Sequence, residues 1–131
     1  MPRRPSPHPT EAELEVLNVL WRDGPCTVRA VHETLQADRQ TGLTTTLKIL
    51  QVMTEKHLTV RSDSRPHLYT PAVPEEKTQA GLLNDLVRKA FDGSVRKLLI
   101  RAVEDATLDA EELREIQKLI GNIRKDKRGD K

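Results

Sequence analysis

Thr44, Thr45 and Thr46 set three hydroxyls in a row, and Lys48 brings an ammonium group within one helical turn of them. Short polar and cationic groups of this kind reach base edges and phosphates. Leu43, Leu47, Leu50 and Met53 fall four, three and three apart, the spacing of one buried helix face, so the threonines should open the other face. β-Branched residues are mediocre helix formers, and three in a first turn want a reason beyond helix formation. The plainer reading is a surface helix with Thr44 as its N-cap and Thr45 and Thr46 merely exposed. What favours nucleic acid is the order of elements. Two strand-like runs follow the helix at once, split by Asp63-Ser64-Arg65-Pro66. A helix with a small polar leading end, followed by a hairpin, is how a winged helix-turn-helix meets the DNA major groove. The expected contact residues are Thr44, Thr45, Thr46 and Lys48 on the helix, with Arg61 and Arg65 around the wing tip on the DNA backbone.

Other chemistry finds little support. His8, His32, His57 and His67 include no pair at i, i+3 or i, i+4, and none stands at a ligand spacing from Cys26. No bound metal is expected from that pattern. Cys26 is the single cysteine, so an intrachain disulfide is impossible and a reducing cytoplasm fits. A thiol just before a helix N-terminus can have a lowered pKa, which keeps a Cys26-based redox or metal response as an alternative. The phosphate-binding glycine loops and the serine nucleophile elbow are absent. Almost all the carboxylates sit on polar helix faces beside Lys or Arg, as solvated pairs worth about a few tenths of a kcal/mol each. Neither catalysis nor a cofactor is expected.

The totals agree. With 131 residues there is room for one ordinary domain or two small ones. A net charge of +2 rules out a polybasic tail, so phosphate binding must come from a local patch. Trp21, Tyr69 and Phe91 are too few and too scattered to stack successive bases, which favours duplex DNA over single strands or RNA. No signal peptide and no membrane span can be read, so the location expected is cytoplasmic, with no membrane partner.

These residues need a frame. Residues 1–9 hold four prolines and read as a disordered arm. Thr10-Glu-Ala-Glu13 is a capping box that starts a first helix striped by Leu14, Leu17 and Trp21, which Asp23-Gly24-Pro25 stops. Thr27 caps a second helix to about Leu35, and a polar connector, residues 36–42, leads into the third. Residues 59–62 and 67–70 are the wing strands, with Leu68 and Thr70 on one side and His67 and Tyr69 on the other. Pro71 and Pro74 close a domain spanning 10–74. Three more helices fill 75–124, broken at Asp92-Gly93, with Ser94 and Asp109 as caps, and 125–131 should fray. Leu82, Leu86, Phe91, Val95, Leu99, Ile116 and Ile120 make broad apolar faces that three short helices cannot hide internally. Pairing with a second copy is the simplest remedy, and two copies read two half-sites about 34–36 Å apart.

Taken together, the chain resembles the penicillinase-repressor (BlaI/MecI/CopY) family. The residues that carry the likeness are Pro9 to Trp21, Thr27-Val-Arg-Ala-Val31, Thr44 to Lys56, Tyr69-Thr-Pro71, Phe91-Asp-Gly-Ser94 and Leu108 to Ile120, about residues 8–122 in all. The resemblance implies a mostly α fold: an N-terminal winged helix-turn-helix with a small β-wing, then a three-helix C-terminal dimerisation domain. It also implies a homodimeric transcriptional repressor that covers promoters at palindromic operators. Two departures bear on how repression ends. Antibiotic-responsive members of the family are cut by a protease at an Asn-Phe bond, where this chain has Arg101-Ala102. Copper-responsive relatives carry C-terminal C-x-C pairs, which this chain lacks. A sensor or protease partner is therefore left open. The rival class is a protein-interaction module, since winged helices also serve as docking domains.

Overall fold

The computed structural model describes residues 8–36, 42–105 and 108–129. The order is α1 (Glu11–Asp23), α2 (Val28–Leu35), α3 (Leu43–Glu55), β1 (Thr59–Arg61), β2 (Tyr69–Pro71), α4 (Glu75–Ala90), α5 (Val95–Asp105) and α6 (Ala110–Gly129). The chain forms two compact units that divide between Asp85 and Leu86.

In the first unit the helix ends follow local chemistry. The Thr10 hydroxyl accepts from the Glu13 amide at 3.2 Å while the Glu13 carboxylate accepts from the Thr10 amide at 2.9 Å, the expected capping box. Gly24, at φ 80°, ends α1 with its amide on the Leu20 carbonyl, a conformation that suits glycine. The Thr27 hydroxyl accepts from the Ala30 amide at 3.1 Å and caps α2. The connector expected over 36–42 lies outside the described residues except at its two ends.

Val16, Leu17 and Leu20 of α1, Val31 of α2, Leu50 and Met53 of α3 and Tyr69 of β2 meet in one core. The wing is a two-stranded antiparallel sheet in register Thr59↔Pro71, Val60↔Thr70 and Arg61↔Tyr69. Pro71 is thus the last paired residue of β2 rather than a stop beyond it. Cys26 adds a further rung on β2 that the sequence reading missed: it exchanges backbone hydrogen bonds with Tyr69 at 3.1 and 2.7 Å. The wing is therefore anchored to the turn between α1 and α2. Of the alternation expected in this strand, Tyr69 does point inward; His67 is only half-buried.

The division falls inside α4, not at Pro74. Pro74 begins the helix, its carbonyl accepting from the Thr78 amide at 3.1 Å, and the first turns of α4 stay with the wing base. His8 joins them: it lies 4.0 Å from Asp85, and its ring would meet a Cβ placed on Gly81 at 3.4 Å. The last residues of the expected arm are thus packed against α4, while residues 1–7 lie outside the described set.

In the second unit, Asp92 and Gly93 turn the chain with positive φ of 52° and 76°. The Ser94 hydroxyl accepts from the Lys97 amide at 3.1 Å, and Asp109 accepts from the Glu112 amide at 2.8 Å, so both expected caps form. Lys125 to Gly129, expected to fray, continue α6. Val87 is the buried apolar residue here; no described residue of α5 or α6 is buried.

Candidate nucleic-acid interface

The candidate surface depends on how α3 is held. An α-helix advances 100° per residue, so Thr46 shares a face with Leu50, four residues on, and Met53, seven on. All three are buried, Thr46 to 2%. The Thr46 hydroxyl lies 3.0 Å from His32 Nδ1, which ties α3 to α2. Thr46 therefore leaves the group expected to touch DNA; it braces the helix from behind. Leu43, placed inside by the leucine spacing, is instead 36% exposed at the overhanging first turn.

The opposite face carries Thr44, Lys48, Gln51 and Glu55 at i, i+4, i+7 and i+11, with Thr45 and Val52 beside them, all exposed. Gln51 was not singled out in the sequence, although its spacing from Lys48 places it on the same stripe. Its amide can both donate and accept, the pattern that reads adenine. Lys48 makes no ion pair with any described residue. Behind Thr45 and Lys48, a small cleft of about 250 Å³ opens between Ala12, Ile49 and Val52.

The far end of α3 is pinned by an ion pair. Lys56 Nζ donates to both Glu13 oxygens at 2.8 and 2.9 Å. Burial alone would raise the Glu13 pKa. The Lys56 and Thr10 hydrogen bonds and the Lys56 charge outweigh it, so the carboxyl is held below its ordinary value. Glu13 thus departs from the expectation that the carboxylates are solvated: it is 4% exposed and serves both as cap and as counter-ion. Thr54 continues the bracing, bonded to the Leu50 carbonyl at 2.8 Å and to the Thr59 hydroxyl at 3.0 Å, so α3 leads directly into β1.

The wing stands next to this helix. A groove of about 660 Å³ between them is lined by Gln51 and Glu55 on one side and Val60 and Arg61 on the other. Arg61 and Arg65 are exposed and form no ion pair with a described residue. Arg29, in the first turn of α2, is a further exposed cation of that kind, unnoticed in the sequence because nothing in its spacing marks it.

A profile of the penicillinase repressor family matches residues 9–122 of this chain. The chain belongs to the penicillinase repressor family. The transcriptional regulator BlaI of Mycobacterium tuberculosis is 38% identical to it over 102 residues, 76% of this chain and 74% of that protein. The penicillinase repressor of Bacillus licheniformis is 21% identical over 115 residues, 87% of this chain and 90% of that protein. Among solved structures, Staphylococcus aureus MarR in complex with salicylate and kanamycin overlaps 94% of this chain and 76% of its own, at 16% identity and a TM-score of 0.49. Members of the penicillinase repressor family are transcriptional regulators, not enzymes.

Within this family frame Cys26 has a structural place. Its thiol lies in the core, 3.2 Å from the Gly24 carbonyl, to which it donates. Burial, then the nearby Asp23 carboxylate, push the thiol pKa up, with Arg22 opposing weakly. A thiol so placed is a poor source of thiolate, the opposite of what a redox response through Cys26 requires. No described helix is long and apolar enough to cross a membrane.

The expected dimerisation residues spread over both units. Leu82 and Phe91 are half-buried, while Leu86, Val95, Leu99, Ile116 and Ile120 are exposed, Leu99 to 51% and Ile120 to 52%. Arg101 and Ala102 are exposed within α5, where Arg101 lies 3.9 Å from Asp105.

Proposed function

We propose that this chain is a DNA-binding transcriptional repressor that works as a homodimer on a palindromic operator. The observation that carries the reading is the two-sided build of α3. Its rear is locked by Thr46, Leu50 and Met53 in the core and by Lys56 on Glu13, while Thr44, Thr45, Lys48 and Gln51 stand outward. Contacts held on a rigid helix keep the geometry that base reading needs. Thr44, Thr45, Lys48 and Gln51 enter a major groove; Arg61 and Arg65 meet phosphates beside it. Repression follows from steric exclusion of polymerase. Such a protein works where the DNA is, in the cytoplasm.

The dimer is supported by the second unit. Leu99, Ile100 and Val103 of α5 and Ile116, Ile120 and Ile123 of α6 are exposed, a larger apolar surface than a monomer usually leaves uncovered. A second copy covers it in an obligate interface of roughly 2,000 Å² or more. Linking two readers turns two weak contacts into one tight one. Repression ends without cutting at Arg101-Ala102, through a ligand, a partner protein or dilution.

The test is selection of bound duplexes from random DNA, followed by binding of the enriched duplex to wild type and Lys48→Ala. The reading expects an inverted repeat bound more weakly by the variant. Capture of no duplex would favour a protein-docking role.

A further inference from the structure

The wing tip holds one titratable side chain whose chemistry the repressor reading does not use. Residues 62–68 are organised around Ser62. Its amide donates to the Leu68 carbonyl at 2.8 Å, and its hydroxyl accepts from the Leu68 amide at 2.8 Å and is hydrogen-bonded to the Ser64 hydroxyl at 2.7 Å. Its carbonyl lies 2.8 Å from His67 Nδ1. A carbonyl can only accept, so Nδ1 must carry the proton. That fixes the tautomer of the neutral ring and leaves Nε2, on the far edge, as a bare acceptor. Nε2 has no hydrogen-bond partner among the described residues, and the ring is half-exposed.

A bare acceptor cannot bind a phosphate, which offers only acceptors. Taking one proton from water makes Nε2 a charged donor without disturbing the Nδ1 bond. The chain around the ring carries Arg61 on β1 and Asp63 and Arg65 in the tip. Two of these three are cations, so the tip already suits an anion. We propose that His67 is a protonation-gated phosphate contact in the wing: neutral, it only shapes the turn, and protonated at Nε2, it donates to a DNA phosphate. This deepens the repressor reading and rests on it.

If the phosphate favours the protonated ring by about one pH unit, each wing gains up to about tenfold in affinity at acid pH. The sign is fixed by linkage: DNA binding takes up protons, so affinity rises as pH falls.

The experiment measures operator-duplex affinity at about pH 8 and about pH 6 for wild type and His67→Asn, across a salt series. The asparagine amide can replace the Nδ1–H bond to Ser62 but cannot titrate. The expected result is equal affinity of the two proteins at the higher pH. At the lower pH the wild type gains about tenfold or more over the variant, and its salt slope steepens by about one per wing. Equal pH dependence in both proteins would assign the effect to other histidines and overturn the proposal, leaving the repressor reading intact. Absence of duplex binding at either pH would overturn both. Should His67→Asn fail to fold, nitrogen NMR of the wild-type ring decides. The proposal requires a protonated Nδ1 in the neutral ring and a titration that moves to higher pH when duplex is added; an unmoved titration refutes it.

Discussion

Lys56, just past the end of α3, holds both carboxylate oxygens of Glu13, in the first turn of α1, at 2.8 and 2.9 Å. The pair joins the capping box that starts the fold to the helix proposed to meet DNA. Breaking a buried pair from one side leaves an uncompensated charge, which costs more than the intact pair contributes. Lys56→Ala should therefore destabilise the first unit by about 1–3 kcal/mol, and Glu13→Gln together with Lys56→Met should recover part of the loss. Urea unfolding of the single and double variants checks this.

The same pair makes stability depend on acid. The Glu13 carboxyl is held below its ordinary value of 4.5, so it favours the folded state while ionised. The contribution is present above that ordinary value and is lost as pH falls through the lower folded value. Unfolding curves of wild type and Glu13→Gln should differ at neutral pH and converge well below pH 4.5. A constant difference at all pH values would remove the ionised pair from the account.

Thr45 and Thr46 are neighbours with opposite duties. Thr46→Val keeps the shape but strands His32 Nδ1, and should lower stability by about 1 kcal/mol. Thr45→Val should leave stability within about 0.5 kcal/mol and weaken operator binding. Thermal unfolding and gel shift on the two variants separate bracing from contact. Reversed outcomes would mean that the faces of α3 are assigned the wrong way round.

Much of this was legible beforehand because it is local. The Thr10 capping box, the Gly24 stop, the Thr27, Ser94 and Asp109 caps and the Asp92-Gly93 turn each reside within a few residues. The inward face of Thr46 was also within reach, since its spacing to Leu50 and Met53 is helical. Its polar type and its membership in a threonine run pointed the other way, and its hydroxyl pairs across helices with His32. The Glu13–Lys56 pair and the Cys26–Tyr69 rung join residues far apart in the chain, and neither periodicity nor spacing encodes them. Pro74 misled because proline ends strands and starts helices alike, and here it does the latter. The apolar faces of the second unit were legible from helical spacing, and their side chains stand exposed.

The uncovered helices predict the assembly. Leu99→Asp should yield monomers, because a charge buried without a partner costs several kcal/mol. Sedimentation at micromolar concentration reads the result. A dimer that survives the change would move the interface off that face of α5.

Arg101 and Ala102 lie in a continuous helix, and a peptide bond inside a helix must unfold locally before a protease can cut it. The chain should remain intact while its promoter is induced, as followed by immunoblot. A fragment ending at Arg101 that appears with induction would restore a proteolytic switch.

On the proposed function, α3 and the wing bind duplex DNA through Lys48, Arg61 and Arg65. The most direct measurement is the affinity of the selected duplex across salt from about 50 to 200 mM. Log affinity should fall steeply and linearly with log salt, with a slope smaller by about one per half-site in Arg61→Ala and Arg65→Ala. Lys48→Ala should show the same loss of slope if it meets phosphate, or relaxed preference at one base position, worth about 1–3 kcal/mol, if it reads a base. Affinity that ignores salt, or that all three substitutions leave unchanged, would contradict it.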